Sequence, residues 1–136
     1  MTQSFWLLGS HLTIVADRTT TDGKYDLIEG YSPPGMQTPP HRHTRYSEQL
    51  YVLEGEYTVW IGKNKVVLGT GESVLIPMGT PHVVAATSDQ PSRGLVVASP
   101  SGFADLQPIP RKRGTVKPVY PARNETLFHR LSRKSS

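Results

Sequence analysis

The 136-residue chain is divided by closely spaced turn-forming residues into short runs rich in β-branched and aromatic side chains. Twelve glycines and twelve prolines exceed the average combined usage of about 12%. No apolar 3.6-residue period persists for three turns before residue 105, which argues against a helical bundle. About nine short strands at this spacing predict an all-β protein, an antiparallel sandwich or barrel. The predicted strands are 5–8, 12–16, 25–31, 50–53, 57–61, 65–68, 73–76, 82–87 and 94–99.

The formal net charge of +4 is divided unevenly along the chain. Residues 1–110 carry 7 Lys and Arg against 10 Asp and Glu, whereas residues 111–136 carry 8 basic residues and one acid. Proline, basic residues and serine dominate from residue 108 onward. This predicts one β-barrel domain over 1–107 and an extended basic arm over 108–136. We expect the arm to pack on the body or on a partner subunit, and nucleic-acid binding is less favoured because few aromatic residues accompany the charges.

The chain has no cysteine, which excludes disulfides, thiolate zinc sites, iron–sulfur clusters and a cysteine nucleophile. Any bound metal would therefore have nitrogen and oxygen ligands. The longest early apolar run, residues 5–8, is too short to span a bilayer or to form the core of an export signal. We therefore expect a cytoplasmic protein that does not insert into a membrane.

Three of the five histidines fall in a pattern with one glutamate. His41 and His43 are two residues apart, so on a strand both side chains would lie on the same face. Glu48 precedes a predicted strand, and His82 begins another strand after a Gly-Thr-Pro turn. Three imidazoles and one carboxylate suit a divalent transition metal. Four such ligands on a six-coordinate ion would leave two positions for substrate, water or dioxygen.

These residues stand in two motifs that resemble those of the cupins. The first motif reads G-MQTPP-H-R-H-TRYS-E-QLYVLE-G from residue 35 to residue 55. The second reads G-ESVLI-P-M-G-TP-H-VVA-A from residue 71 to residue 86, and it departs from the family pattern only at Ala86, which replaces an asparagine. The resemblance extends over about residues 5–104. It implies a double-stranded β-helix, or jelly-roll barrel, as the fold.

The resemblance also implies what the site binds. In the family pattern His41, His43, Glu48 and His82 hold one divalent transition metal ion, with Fe(II) favoured and Mn, Ni, Co or Zn as alternatives. By the same analogy Glu48 is a candidate catalytic base that accepts a proton from the substrate. Small cupins pair their sheets, so we expect a homodimer in which the apolar strand 5–8 supplies an edge.

The chain is most similar to small single-domain cupins grouped with quercetin dioxygenases. The leading prediction is a mononuclear-metal oxygenase that acts on a small organic substrate such as a phenol. Two alternatives stay open: a non-redox metal-dependent isomerase, lyase or cyclase, and a non-enzymatic module that binds a small molecule. A sugar phosphate would require inward-facing basic residues, for which the body offers Arg42, Arg45 and Arg93.

Strand alternation also predicts the walls of a pocket beside the histidines. The side chains assigned to it form an apolar wall with one amide, and they are Leu50, Val52, Val84, Ala86 and Gln37.

Other aromatic and histidine side chains are expected to lie outside the site. Tyr51, Tyr57 and Trp60 are assigned to packing or to a dimer face rather than to substrate binding. His11 and His129 are remote from both motifs, so each is expected at the surface or at the edge of the core.

Overall fold

The computed structural model describes residues 3–103, and every predicted strand has a counterpart within this range. A short helix, α1 (Arg18–Thr21), lies between the second and third strands. The strands are β1 (Gln3–Leu7), β2 (Ser10–Ala16), β3 (Asp26–Ser32), β4 (Ser47–Glu54), β5 (Glu56–Ile61), β6 (Asn64–Gly69), β7 (Ser73–Ile76), β8 (His82–Ala86) and β9 (Ser92–Ser99). The predicted basic arm over 108–136 lies outside the described residues.

The strands form two antiparallel sheets that face each other. One sheet has six strands in the order β1-β2-β3-β9-β4-β7, and the other has three in the order β6-β5-β8. β9 pairs with both β3 and β4, so strands far apart in the sequence become neighbours. This arrangement confirms the predicted all-β, double-stranded β-helix fold.

Alternating burial along the strands explains why they form two facing layers. In β2 and β3 buried residues alternate with half-buried or exposed ones, as expected when one face of a sheet packs on a core. The main core lies between the two sheets. Its buried side chains are Met36, Leu50, Val52, Tyr57, Val59, Leu68, Ile76 and Ala86.

Helix α1 is not predicted from the sequence. The Asp17 side chain accepts a hydrogen bond from the Thr19 amide at 2.9 Å, and Asp22 ends the helix in the left-handed conformation. Four residues are too few to show an apolar period, so the pattern contains no signal for this element. No helix within residues 3–103 is long and apolar enough to cross a membrane.

The turn between β4 and β5 leaves no room for a side chain at Gly55. Gly55 has a φ of +79°, and a Cβ there would lie 2.3 Å from Ser92 Oγ and 2.9 Å from Ser92 Cα. Gly71 has a similar φ of +85° but open space around the corresponding Cβ position. The lack of a side chain at Gly55 therefore allows this hairpin to approach β9 closely.

Candidate metal centre

Backbone hydrogen bonds bring the three motif histidines to one end of the barrel. The His41 amide donates to the His82 carbonyl at 3.1 Å, and the His82 amide donates to the His41 carbonyl at 2.9 Å. The His43 carbonyl accepts from the amide of Gly79, at 2.7 Å, in the turn that precedes β8. The pairing of two distant segments, and not a common strand, therefore places the rings together.

His41 and His43 do not share a strand, so the strand geometry considered for the pair does not apply. His41 forms an isolated β-bridge with His82, and His43 lies outside the strands. Pro39 and Pro40 precede His41, and a proline has no amide to donate to a ladder. The double proline therefore limits this segment to single bridges.

The three rings are close enough for their free nitrogens to converge. The ring centroids are 4.2 Å apart for His41 and His82, 5.0 Å for His41 and His43, and 5.2 Å for His43 and His82. One nitrogen of each ring lies within 4.8 Å of the other two. The three histidines could therefore form a metal site.

Glu48 extends from β4 and contacts His43, but its carboxylate is not part of the group formed by the three histidines. Its Oε1 lies 2.6 Å from His43 Nε2, and both side chains are buried. Among the described residues, Glu48 Oε1, His43 Nε2 and His82 Nε2 are buried atoms without a hydrogen-bond partner. Leaving a buried polar atom unsatisfied costs about 1–3 kcal/mol, and one bound cation would satisfy all three, so the residues fit a metal ion.

The outer nitrogens of two rings are fixed by backbone carbonyls. His41 Nδ1 donates to the Pro39 carbonyl at 2.7 Å, and His82 Nδ1 donates to the Thr80 carbonyl at 2.9 Å. Because a carbonyl can only accept, each Nδ1 carries the proton and each Nε2 has a free lone pair. This is the tautomer that a metal requires at Nε2.

Tyr46 completes the surroundings of the third ring and was missed by the sequence reasoning. Its hydroxyl lies 2.7 Å from His43 Nδ1, and its ring stacks on the imidazole at a centroid distance of 4.5 Å. Phe103 packs edge-on against both rings. The only available signal was position, because Tyr46 is the aromatic residue between the second histidine and the glutamate of the first motif.

Burial sets the charges of these groups. Burial, together with repulsion from His82, lowers the pKa of His41 to about 4, and burial also lowers the pKa of His82. Burial alone would raise the pKa of Glu48, but the contact with His43 and the nearby histidine charges outweigh it and lower that pKa. Burial and the charge of Glu48 raise the pKa of Tyr46. Near neutral pH His41 and His82 are therefore uncharged and Glu48 is ionised, the forms that bind metals.

His41, His43 and Glu48 open into a cavity of about 110 Å³. Most of its wall is apolar, and it extends between the two sheets. Of the four motif residues His41, His43 and Glu48 line it, and the other lining side chains include Leu7, Leu8, Ser10, Leu12, Ser32, Met36, Thr38, Leu50, Tyr57, Val84, Val96 and Phe103.

The predicted pocket wall is correct in part. Leu50 and Val84 line the cavity, whereas Val52 and Ala86 lie in the main core. The assignment of Gln37 is wrong, because this residue is exposed and does not line the cavity. The irregular backbone at the double proline breaks the alternation, so Gln37 and the histidine four residues later no longer share a face.

One of the three aromatic residues assigned to packing or to a dimer face lines the cavity instead. Tyr57 is buried and lines the cavity, while Trp60 is buried against Val83 and Ala85, and Tyr51 is 42% exposed.

The isolated histidines do not join the site within the described residues. The His11 ring contacts Trp6 edge-on at a centroid distance of 5.2 Å, at the paired strands β1 and β2. His129 lies outside the described residues.

No lysine or arginine is among the described residues that line the cavity. Arg42 and Arg45 are exposed, and Arg93 forms ion pairs with Glu29 and Glu54. The three basic residues considered for a phosphorylated substrate therefore do not face the cavity.

Comparison with known proteins places this site in a family. The family model described as "Cupin domain" matches residues 29–98, which is half of the chain and includes all four motif residues. Quercetin 2,3-dioxygenase of Bacillus subtilis is 32% identical over 69 residues, which are 51% of this chain and 20% of that enzyme. The chain thus spans about a fifth of the length of this relative.

Solved structures share the fold. KdgF from Halomonas sp. has a TM-score of 0.66 and 24% identity, over 78% of this chain and 93% of that chain. A recombinant oxalate oxidase in complex with glycolate has a TM-score of 0.59 and 26% identity, over 68% of this chain and 52% of that chain. With the family match over half of its length, and with this fold and this histidine cluster, the chain belongs to the cupin family.

Proposed function

We propose that the protein is a mononuclear-metal oxygenase that acts on a small organic substrate, for instance a phenol. The observation that carries the proposal is the convergence of three histidines beside a cavity, with a buried carboxylate against one of them and with buried polar atoms that lack hydrogen-bond partners among the described residues. A relative that matches about half of the chain is a quercetin 2,3-dioxygenase, and a structural relative is an oxalate oxidase, which supports an oxidative reaction.

The residues that would hold the metal are His41, His43, Glu48 and His82. Nitrogen and oxygen ligands of this kind suit Fe(II) as well as Mn, Ni, Co or Zn, and we favour Fe(II). A bound redox-active ion would supply the one-electron chemistry that dioxygen needs in order to react with an organic molecule.

The protein would contribute binding, exclusion of water and a proton acceptor. The apolar wall of the cavity favours a carbon-rich molecule and keeps bulk water from the reacting atoms. Glu48 is ionised near neutral pH and faces the cavity, so it can accept the proton of a substrate hydroxyl. The absence of a lining cation among the described residues argues against a phosphorylated sugar as substrate.

Oxygen uptake tests this function. Protein stripped of metal and reloaded anaerobically with Fe(II) should consume dioxygen when a suitable phenol is added. The same protein loaded with redox-inert Zn should not, and neither should a His43→Ala variant. Absence of uptake with Fe, Mn, Ni and Co across a panel of phenols would refute the oxygenase.

We further propose that the protein is a homodimer formed through the six-stranded sheet. β1 pairs only with β2 and so stands at the sheet edge, and Trp6, Tyr31, Tyr51 and Leu75 are at least 40% exposed on strands of this sheet. Such exposure is typical of an association surface. Sedimentation should give twice the mass of one chain, and a monomer at micromolar concentration would contradict the proposal. Cytoplasmic localisation stays a prediction.

A further inference from the structure

A second polar group lies in the cavity apart from the histidines. Ser10 Oγ and Ser32 Oγ are 2.7 Å apart, and the Tyr57 hydroxyl donates to Ser32 Oγ at 2.9 Å or to the Ser92 carbonyl at 3.2 Å. Ser10, Ser32 and Tyr57, which we call the hydroxyl cluster, are each less than 9% exposed and line the cavity. An enclosed set of hydroxyl groups in an otherwise apolar wall is suited to orienting a ligand.

Strand register places the hydroxyl cluster and the histidines at opposite ends of the cavity. Glu48 pairs with Ala98 of β9, and Ser32 pairs with Ser92 of the same strand. These two β9 residues are six positions apart, which corresponds to about 20 Å along an extended strand. In the other sheet, one of the histidines begins β8, and the last residue of that strand pairs with Tyr57.

The hydroxyl cluster retains hydrogen-bonding capacity toward the cavity. Ser10 is the last hydroxyl in this series of hydrogen bonds, and in its bond to Ser32 either oxygen can be the donor. If Ser10 donates to Ser32, its lone pairs stay free to accept, and if it accepts, its own proton stays free to donate. The cluster can therefore bind a ligand hydroxyl or a ligand carbonyl.

The charges of the lining residues disfavour an anion at this end. The described lining contains no lysine or arginine that could neutralise a negative ligand. A buried anion without a counter-charge is strongly disfavoured.

We propose that the cavity takes an uncharged, mainly apolar molecule that places a hydroxyl or carbonyl oxygen on the hydroxyl cluster, at the end remote from the histidines. The inference rests on the proposed function in one respect, because it takes this cavity to be the substrate site. It does not depend on which metal is bound or on the reaction.

The test compares three probes that share one ring system: naphthalene, 2-naphthol and 2-naphthoate. Their dissociation constants are measured at pH 7 on the full chain without metal, so that failure of the oxygenase cannot affect the result. We expect 2-naphthol to bind about tenfold more tightly than naphthalene, which corresponds to one net hydrogen bond. We expect 2-naphthoate to bind at least tenfold more weakly than 2-naphthol.

Variants then locate the hydroxyl contact. In the Ser10→Ala variant and in the Ser32→Ala variant, the dissociation constants of 2-naphthol and naphthalene should be about equal. Ser10→Ala leaves the bond between Ser32 and Tyr57 in place, so it provides the test if the other variant fails to fold. Ser4→Ala is the matched control, because Ser4 bonds to Thr13 in an exposed pair of hydroxyls.

Three results would overturn the inference: tightest binding by 2-naphthoate, an unchanged advantage of 2-naphthol in both serine variants, or no binding of any probe. If 2-naphthol binds as expected but Fe(II)-loaded protein consumes no dioxygen, the ligand class stands and the oxygenase fails.

Discussion

At the scale of single residues, the three imidazoles differ in what holds their outer nitrogen. Backbone carbonyls fix the tautomers of His41 and His82, whereas His43 bonds to the Tyr46 hydroxyl, which can donate or accept. If Tyr46 donates, His43 Nε2 carries the proton, and Glu48 Oε1 lies 2.6 Å from this nitrogen. If Tyr46 accepts, the same Nε2 has a free lone pair. Metal binding requires the second arrangement, so Tyr46 acts as a positioning residue for His43.

The Tyr46→Phe variant should bind Zn or Fe(II) about 10–100-fold more weakly than the wild type. The ring still stacks on His43 and packs against Phe103, so the fold should be retained and only the hydrogen bond to Nδ1 is lost. Competition with a chelator of known affinity measures the change. Tyr51→Phe, at an exposed position, is the control, and equal metal affinity in the two variants would contradict a role for the Tyr46 hydroxyl.

The Glu48→Gln variant tests whether the carboxylate takes part in the site. The amide keeps the shape of the side chain but removes the negative charge, so metal affinity should fall by at least tenfold. Glu54→Gln, at the exposed end of β4, should leave the affinity unchanged. Unchanged metal affinity in Glu48→Gln would contradict this prediction and would show that the three histidines hold the metal without the carboxylate.

At the scale of the elements, the hairpin between β4 and β5 depends on the absence of a side chain at Gly55. Gly55→Ala should lower the free energy of unfolding by about 1–3 kcal/mol more than Gly71→Ala does, because only the first Cβ collides with β9. Both glycines have positive φ, so the control matches the backbone strain. Chemical denaturation measures the difference. Equal losses of unfolding free energy in the two variants would contradict a collision between a Cβ at residue 55 and Ser92.

The sequence patterns predict where the strands lie better than they predict which side chains face the cavity. Alternation and turn residues locate the nine strands because each signal is local, as in β2 and β3. The face of Gln37 is predicted wrongly because Pro39 and Pro40 interrupt the ladder between it and His41.

The motif histidines could be grouped from spacing, whereas their neighbours could not. Tyr46 reaches His43 through a local turn that no alternation rule describes. The hydroxyl cluster joins Ser10, Ser32 and Tyr57, which only the register between distant strands brings together. Long-range pairing is thus the information that the sequence patterns lacked.

At the scale of the whole molecule, the metal-free protein should lose stability as the pH falls. The pKa of His41 is about 4 when folded, against 6.5 for an ordinary histidine, so the unfolded chain takes up a proton first in this window. The free energy of unfolding should therefore decrease by on the order of 2 kcal/mol between pH 7 and pH 5. The lowered pKa of His82 acts in the same direction.

Urea denaturation of metal-free protein at several pH values measures this dependence. The His41→Gln variant should show a shallower decrease, whereas His11→Gln, at a position remote from the site, should follow the wild type. Stability that stays constant or rises from pH 7 to pH 5 would contradict the assigned burial of these imidazoles.

The most direct test of the metal centre is the metal content of protein purified without chelators, measured by elemental mass spectrometry. The site offers one set of converging ligands, so the wild type should carry close to one transition metal ion per chain. His43→Ala should carry none, and His11→Ala should match the wild type, with circular dichroism confirming that both variants are folded. Full metal content in folded His43→Ala, or a wild type that binds none of Fe, Mn, Co, Ni and Zn, would contradict the account.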